Sequence, residues 1–231
     1  MACRCPVLLC ILSVYAAATP EQNTNSEVRP ESDIYLQLQP MIRLQFQNAF
    51  SGNLTTGNWR TEPTFFVERA LKPILRRHLR KQPDVYENRY LTFKAGYRYV
   101  TDLAGGRSAH ENRGILEVNS RYPLPWHLVI SDRNRGEFRF VSNQPYSTRY
   151  RNRLRLEYDY GHGRFNCTSY VDVEVFYDTR FDRWSPRQYQ AGVQFPVSSR
   201  VMLEPCYLRR DNTISIPQHV NGFGFKLNLY F

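Results

Sequence analysis

Between Arg149 and Tyr160 the chain carries Arg149, Arg151, Arg153, Arg155 and Glu157 at odd positions and Tyr150, Leu154, Leu156, Tyr158 and Tyr160 at even ones. A side-chain period of two places these sets on opposite faces of a β-strand. Four arginines on one face cannot lie in hydrocarbon, where each costs about 2–4 kcal/mol near the midplane. That face must line water or a polar interior, while the other asks for an apolar medium. In the following segment, Asn166 to Asp178, the parity flips: Asp172 and Glu174 oppose Val171, Val173, Val175 and Tyr177. A tight turn at Gly161 to Arg164 then predicts Arg153 beside Asp172, Arg151 beside Glu174 and Leu154 beside Val171. Such a lumen charge ladder contributes roughly 0.2–1 kcal/mol per pair. The competing reading, a solvated face of a soluble sheet, needs a second sheet to cover the aromatic and β-branched side.

The chain ends on the same pattern. In Asn221 to Phe231 the apolar residues Phe223, Phe225, Leu227, Leu229 and Phe231 occupy every second position. About eleven residues is the length of a tilted strand that crosses a bilayer. This ending resembles the C-terminal assembly signal of outer-membrane β-barrel proteins of Gram-negative bacteria. The resemblance implies delivery by periplasmic chaperones and insertion by the barrel-assembly machinery.

The N-terminus fits export. Arg4, the apolar stretch Pro6 to Tyr15 and Ala16-Ala17-Ala18 read as a signal peptide over residues 1–18, cut after Ala18. A lipoprotein reading through Cys10 is weaker, because Leu9 stands where lipid attachment calls for a small residue. Residues 19–32 read as a polar N-terminal segment, and 33–231 as the barrel. Only Cys167 and Cys206 of the five cysteines remain after cleavage. Alternation puts Cys167 on the lipid face and Cys206 on the lumen face of non-neighbouring strands, so two free thiols are expected.

Composition agrees with a barrel. A mean hydropathy of −0.56 is what alternating lipid-facing and water-facing residues produce. With 42% hydrophobic residues among 231 and no marked linker, one domain is expected. No apolar run of about eighteen residues follows the leader, which excludes a transmembrane helix. The net charge of +10 raises nucleic acid as a partner, but export argues against it and points instead to the phosphates of lipopolysaccharide.

Alternation and turn residues divide the chain into about ten strands, with twelve left open. They cover Asp33 to Gln47, Asn58 to Glu68, Arg89 to Val100, Glu111 to Tyr122, Trp126 to Phe140, Thr148 to Tyr160, Asn166 to Asp178, Arg187 to Phe195, Arg200 to Arg209 and the final strand. Polar Asp132 to Gly136 suggests a bulge or bend in the fifth. Pro205 must sit at a bulge or where no ladder bond is needed. Connections alternate in length. Those at Pro123 to Pro125, Gly161 to Arg164 and Pro196 to Ser199 are short. Those at Thr101 to His110, Val141 to Ser147, Thr179 to Pro186 and Asp211 to His219 are longer, as expected for periplasmic turns and external loops. The exception is Arg69 to Asn88, whose Leu71 to Lys81 reads as a basic amphipathic helix or a further strand pair.

Four stretches make a family resemblance specific: Ser131 to Glu137, Tyr150 to Leu156, Leu203 to Leu208 and His219 to Phe223. They look like a bacterial family of outer-membrane barrels known only as a domain of unknown function. It covers nearly the whole chain after the leader and implies fold and location but no activity. The departures are the basic Leu71 to Lys81 segment and Cys206, where a tyrosine is expected.

Enzyme motifs are absent. The chain has no Gly-x-Ser-x-Gly, Cys-x-x-Cys, His-Glu-x-x-His or phosphate-cradling loop, and His78, His110, His127, His162 and His219 are scattered. No catalytic residue, metal or cofactor is expected. Asn53-Leu54-Thr55 and Asn166-Cys167-Thr168 match a eukaryotic glycosylation pattern that a bacterial source makes irrelevant. The reading is an all-β, single antiparallel up-and-down transmembrane β-barrel in the outer membrane, monomeric and porin-like. It acts as a narrow channel or a structural surface element, with an arginine-rich, partly salt-bridged lumen. The alternatives are a lipid-modifying outer-membrane enzyme, for which His110 and His219 are the residues to replace, and a secreted soluble ligand-binding β-barrel.

Overall fold

The computed structural model describes residues 24–71, 89–103, 110–162, 165–211 and 219–231. The expected leader and all of the basic segment after Leu71 lie outside them. Eleven strands follow in chain order: β1 (Thr24–Gln39), β2 (Ile42–Asn53), β3 (Trp59–Ala70), β4 (Leu91–Asp102), β5 (His110–Leu124), β6 (Leu128–Val141), β7 (Ser147–His162), β8 (Phe165–Asp178), β9 (Arg183–Pro196), β10 (Val201–Asp211) and β11 (His219–Tyr230). Each pairs with its sequence neighbours, and β1 closes the sheet against β11.

The closing seam corrects the expected topology. Ten pairings are antiparallel, but β1 runs parallel to β11, with Thr24 beside His219 and Tyr35 beside Tyr230. An up-and-down meander with an odd number of strands must close this way, so the barrel is mixed. The count of eleven replaces ten, and the twelve-strand alternative falls because β3 pairs directly with β4, leaving no room for a strand pair between them.

The eleventh strand came from the segment read as one strand over Asp33 to Gln47. It holds the end of β1, a two-residue turn at Pro40 and Met41, and the start of β2. Leu36 pairs with Leu44 and Gln37 with Arg43, then the register shifts between Gln37 and Gln39. Partners of equal parity keep even residues outside on both strands, so the alternation runs through the turn without a break. In addition, β1 begins at Thr24, so residues 24–32 belong to the barrel rather than to a polar segment before it.

Connections at one end are mostly shorter than at the other, the two sets meeting at four residues. At one end they span 40–41, 125–127, 163–164 and 197–200, with 71–90 as the long exception; at the other they span 54–58, 103–109, 142–146, 179–182 and 212–218. The connection expected over Thr179 to Pro186 is shorter because Arg183–Pro196 is all strand. It joins after a register shift between Val175 and Phe176. No bulge occurs at Asp132 to Gly136, where β6 holds unbroken register with β5 and β7. At Pro205 the ladder with β9 passes from Leu203 to Cys206 while that with β11 continues, so the missing N–H falls where no bond is made.

The wall is apolar outside and charged inside. Phe46, Phe65, Phe93, Leu116, Leu154, Tyr158, Val171, Phe223 and Phe225 are exposed, whereas Arg113, Glu117, Arg135, Glu137, Arg155, Asp172 and Glu174 are buried. Tyr158 is 39% and Phe225 49% exposed, so neither lies between two layers as a sandwich would require.

Candidate functional site

Inward positions of β5 to β8 build a continuous ion-pair network. Arg139 Nη1 meets Asp178 at 2.7 Å and Arg139 also pairs with Glu111, which Arg113 grips through two bonds of 2.8 Å. Glu137 lies within reach of Arg113, Arg135 and Arg151, the last at 3.1 Å. Arg151 reaches on to Glu174 at 2.9 Å, Glu174 accepts from Arg133, and Arg135 returns through Glu117 at 2.6 Å. Burial of such charges is tolerated only when each is paired and hydrogen-bonded. Glu137, 1% exposed, is the hub.

Beside this network, Arg155 bonds Asp172 at 2.7 Å and lies over the Tyr170 ring at 3.8 Å. The Tyr170 hydroxyl donates to Glu204 at 2.6 Å, and a side chain at Gly192 would collide with its ring. Toward the short-turn end the lumen is filled. Tyr35 and Tyr230 stack with Met202 nearby, Arg43 pairs with Glu68 at 2.6 Å, and Arg121 pairs with Glu157.

The filling divides the interior. A cavity of about 670 Å³ occupies the long-loop half, lined toward the long connections by Ser51, Gln144 and Phe181. A smaller one of about 140 Å³ lies toward the short turns. Gln47, Arg133, Arg135, Arg153, Arg155, Glu204 and Lys226 border both and form the partition. Among the described residues, thirteen arginines and one lysine line the larger cavity against eight carboxylates.

The profile of the family described as "Protein of unknown function (DUF2490)" matches residues 74–218, more than half of the chain, from β4 through β10. The chain belongs to the DUF2490 family. No curated protein matches it. This DUF2490 chain is therefore an all-β closed barrel with buried, salt-bridged arginines.

The ladder residues Arg149, Arg151, Arg153, Arg155, Glu157, Asp172 and Glu174 all face the lumen of the DUF2490 barrel, but in a different register. Arg153 stands beside Glu174, Arg155 beside Asp172 and Leu154 beside Val173, two residues from the expected pairing. β7 continues to His162 and β8 begins at Phe165, so the turn lies further along than Gly161 to Arg164 suggests. A shift of two leaves every face unchanged. The Arg151–Glu174 ion pair survives as a diagonal contact, and Arg149 pairs with Asp178 at 2.8 Å. Phe223, Phe225, Leu227 and Leu229, expected to form an assembly signal, occupy the outward positions of β11, and Phe231 follows the strand with its carbonyl accepting from Gln37 N at 2.8 Å.

The sequence reading missed the hub. Glu137, Arg135, Arg133 and Arg139 share a face by the same period-two rule, a signal that the expected bulge at Asp132 to Gly136 concealed. Their outward neighbours form a second unexpected feature: Asp132 accepts from Asn134 Nδ2 at 2.8 Å and Asn152 Nδ2 at 2.7 Å on the outer wall. Among the described residues Cys167 on β8 and Cys206 on β10 form no disulfide with each other, and β9 lies between them.

Among the described residues the histidines do not converge. His110 opens β5, its Nδ1 2.7 Å from the Tyr99 hydroxyl, and His219 opens β11, 2.8 Å from Asp211. These strands lie on opposite sides of the barrel. Among the described residues no three His, Cys, Asp or Glu side chains gather as a metal site.

Proposed function

We propose that this DUF2490 barrel is an integral outer-membrane protein whose lumen is closed by its own ion pairs, a structural surface element rather than an open pore. One observation carries the reading: the residue types of a soluble core stand on the outer wall, and those of a soluble surface fill the interior. In water such a wall would leave a largely apolar belt unpaired with anything, whereas acyl chains match it. The C-terminal alternation and the mostly shorter connections at one end support the same setting. The short-turn end then faces the periplasm and the long-loop end the lipopolysaccharide.

The partition supports a closed state. Small barrels are commonly filled by their own side chains, and here the partition is mostly cationic side chains, of which Arg133, Arg135 and Arg155 are held by Glu174, Glu117 and Asp172. Neither catalysis nor a cofactor is assigned. The barrel acts as a monomer, delivered by periplasmic chaperones and the barrel-assembly machinery.

Two measurements test this. Mobility on a detergent gel with and without boiling distinguishes a folded membrane barrel, expected to shift on heating, from a soluble protein; recovery in the aqueous periplasmic fraction overturns the reading. In planar bilayers the barrel is expected to give no steady conductance, and a stable open current restores the narrow-channel version, with anion preference set by the excess arginines.

A further inference from the structure

Three arginines that line the larger cavity have no carboxylate within ion-pair distance among the described residues. Arg153 projects from β7 with its Nε buried and without a partner. Arg210 on β10 donates only to the amide oxygen of Gln188, from Nη2 at 3.2 Å and Nε at 3.4 Å. Arg180, after β8, donates from Nη2 to Ser147 Oγ at 3.1 Å and leaves Nε without a partner.

Register places two of them in one row. Arg133, Arg153, Glu174, Gln188 and Arg210 stand side by side across β6 to β10, all facing the cavity. The one carboxylate in that row is already taken, since Glu174 accepts from both Arg133 and Arg151. A half-buried guanidinium without a counter-ion is costly to hold. Here several share one water-accessible cavity that is also cationic overall, and the planar donor fork of arginine suits phosphate.

We infer that the long-loop cavity binds a small, multiply charged phosphorylated molecule, held between Arg153 at the floor and Arg210 on the wall, with Arg180 nearer the long connections. A volume of about 670 Å³ falls within the usual range for small-ligand sites. The phosphate groups could belong to a water-borne solute or to a lipid headgroup. This inference needs the barrel but not the bilayer: absence of binding leaves the membrane reading intact, and recovery in water overturns that reading while leaving binding in place.

Calorimetry with inorganic pyrophosphate on the full chain folded in detergent tests it. Saturable binding is expected, weakening as salt rises and falling about tenfold or more in Arg153→Gln/Arg210→Gln. Arg153→Lys/Arg210→Lys is expected to keep part of the affinity. Arg209→Gln removes a charge paired with Asp211 on the outward side of β10 and is expected to change nothing. If the double variant loses its heat-shifted gel band, Arg210→Gln alone carries the comparison. Failure of the natural chain to bind millimolar pyrophosphate, or equal weakening by Arg209→Gln, overturns the inference. Phosphatidic acid added to the micelle separates the sources: competition with pyrophosphate assigns the site to headgroups, and independence assigns it to a solute.

Discussion

Tyr35 and Tyr230 stack across the parallel seam with ring centroids 4.9 Å apart and planes 6° from parallel. They belong to the two strands most distant in sequence, so their contact exists only once the barrel has closed. The Tyr35 hydroxyl donates to Asp33 at 3.1 Å, and Arg43 covers the ring at 4.3 Å. Tyr35→Ala is expected to cost about 3 kcal/mol or more, the usual range for removing a large buried ring, read as a lowered urea midpoint in lipid vesicles. A loss below about 0.5 kcal/mol, the range of a surface change, would show that the seam does not depend on this pair.

The seam also sets where the chain starts. Because β1 runs parallel to β11, Thr24 lies at the long-loop end while Tyr230 lies at the short-turn end. In a cell, a peptide epitope placed just before Thr24 is expected to bind antibody on intact bacteria. One appended after Phe231 should require permeabilisation. The reverse pattern contradicts the orientation proposed above.

Glu137 is the carboxylate that holds three arginines together. Glu137→Ala leaves Arg113, Arg135 and Arg151 with less compensation in a buried setting, and such a loss typically costs about 3–5 kcal/mol. Asp102→Asn, which breaks the exposed pair with Arg60, should stay within about 1 kcal/mol. Similar values for the two variants in parallel denaturation curves would mean that the network is solvated rather than structural.

Leu156 faces outward between Arg155 and Glu157, and its surroundings decide the medium around the barrel. Leu156→Arg is expected to destabilise the protein in a bilayer by about 2–4 kcal/mol, the cost of that charge among acyl chains. If the wall faces water, the change should fall within about 0.5 kcal/mol, so unfolding titrations of this one variant discriminate sharply.

The hydrogen-bonded group of Asp132, Asn134 and Asn152 interrupts that wall. Replacing all three with leucine deletes polar groups from the proposed lipid face, so a higher urea midpoint in vesicles is the expected result. A fall in stability would mean that the polar patch is covered by something other than acyl chains.

Much of this architecture could be read from residue order. The odd and even sets in Arg149 to Tyr160 and in Asn166 to Asp178 settle which side chains share a face, because a pleated strand offers only two. For the same reason a register error of two residues, as at Arg153 and Glu174, left the faces right and the partners wrong. The turn at Pro40 and Met41 stayed hidden because equal-parity pairing carries the alternation through it. Turn position depends on which loop geometry closes at least cost, and periodicity does not report that.

Residue order alone determined that alternate side chains seek different media, that the chain is β throughout its described length, and that arginines gather on the inner side. Closure decided the rest: the parallel seam between β1 and β11, the gathering of Arg113, Arg135 and Arg151 around Glu137, and the arginines left facing an open cavity. Local alternation acts between neighbouring residues, whereas strand number, register and ion-pair partners are fixed by contacts that form only when distant strands meet around one lumen.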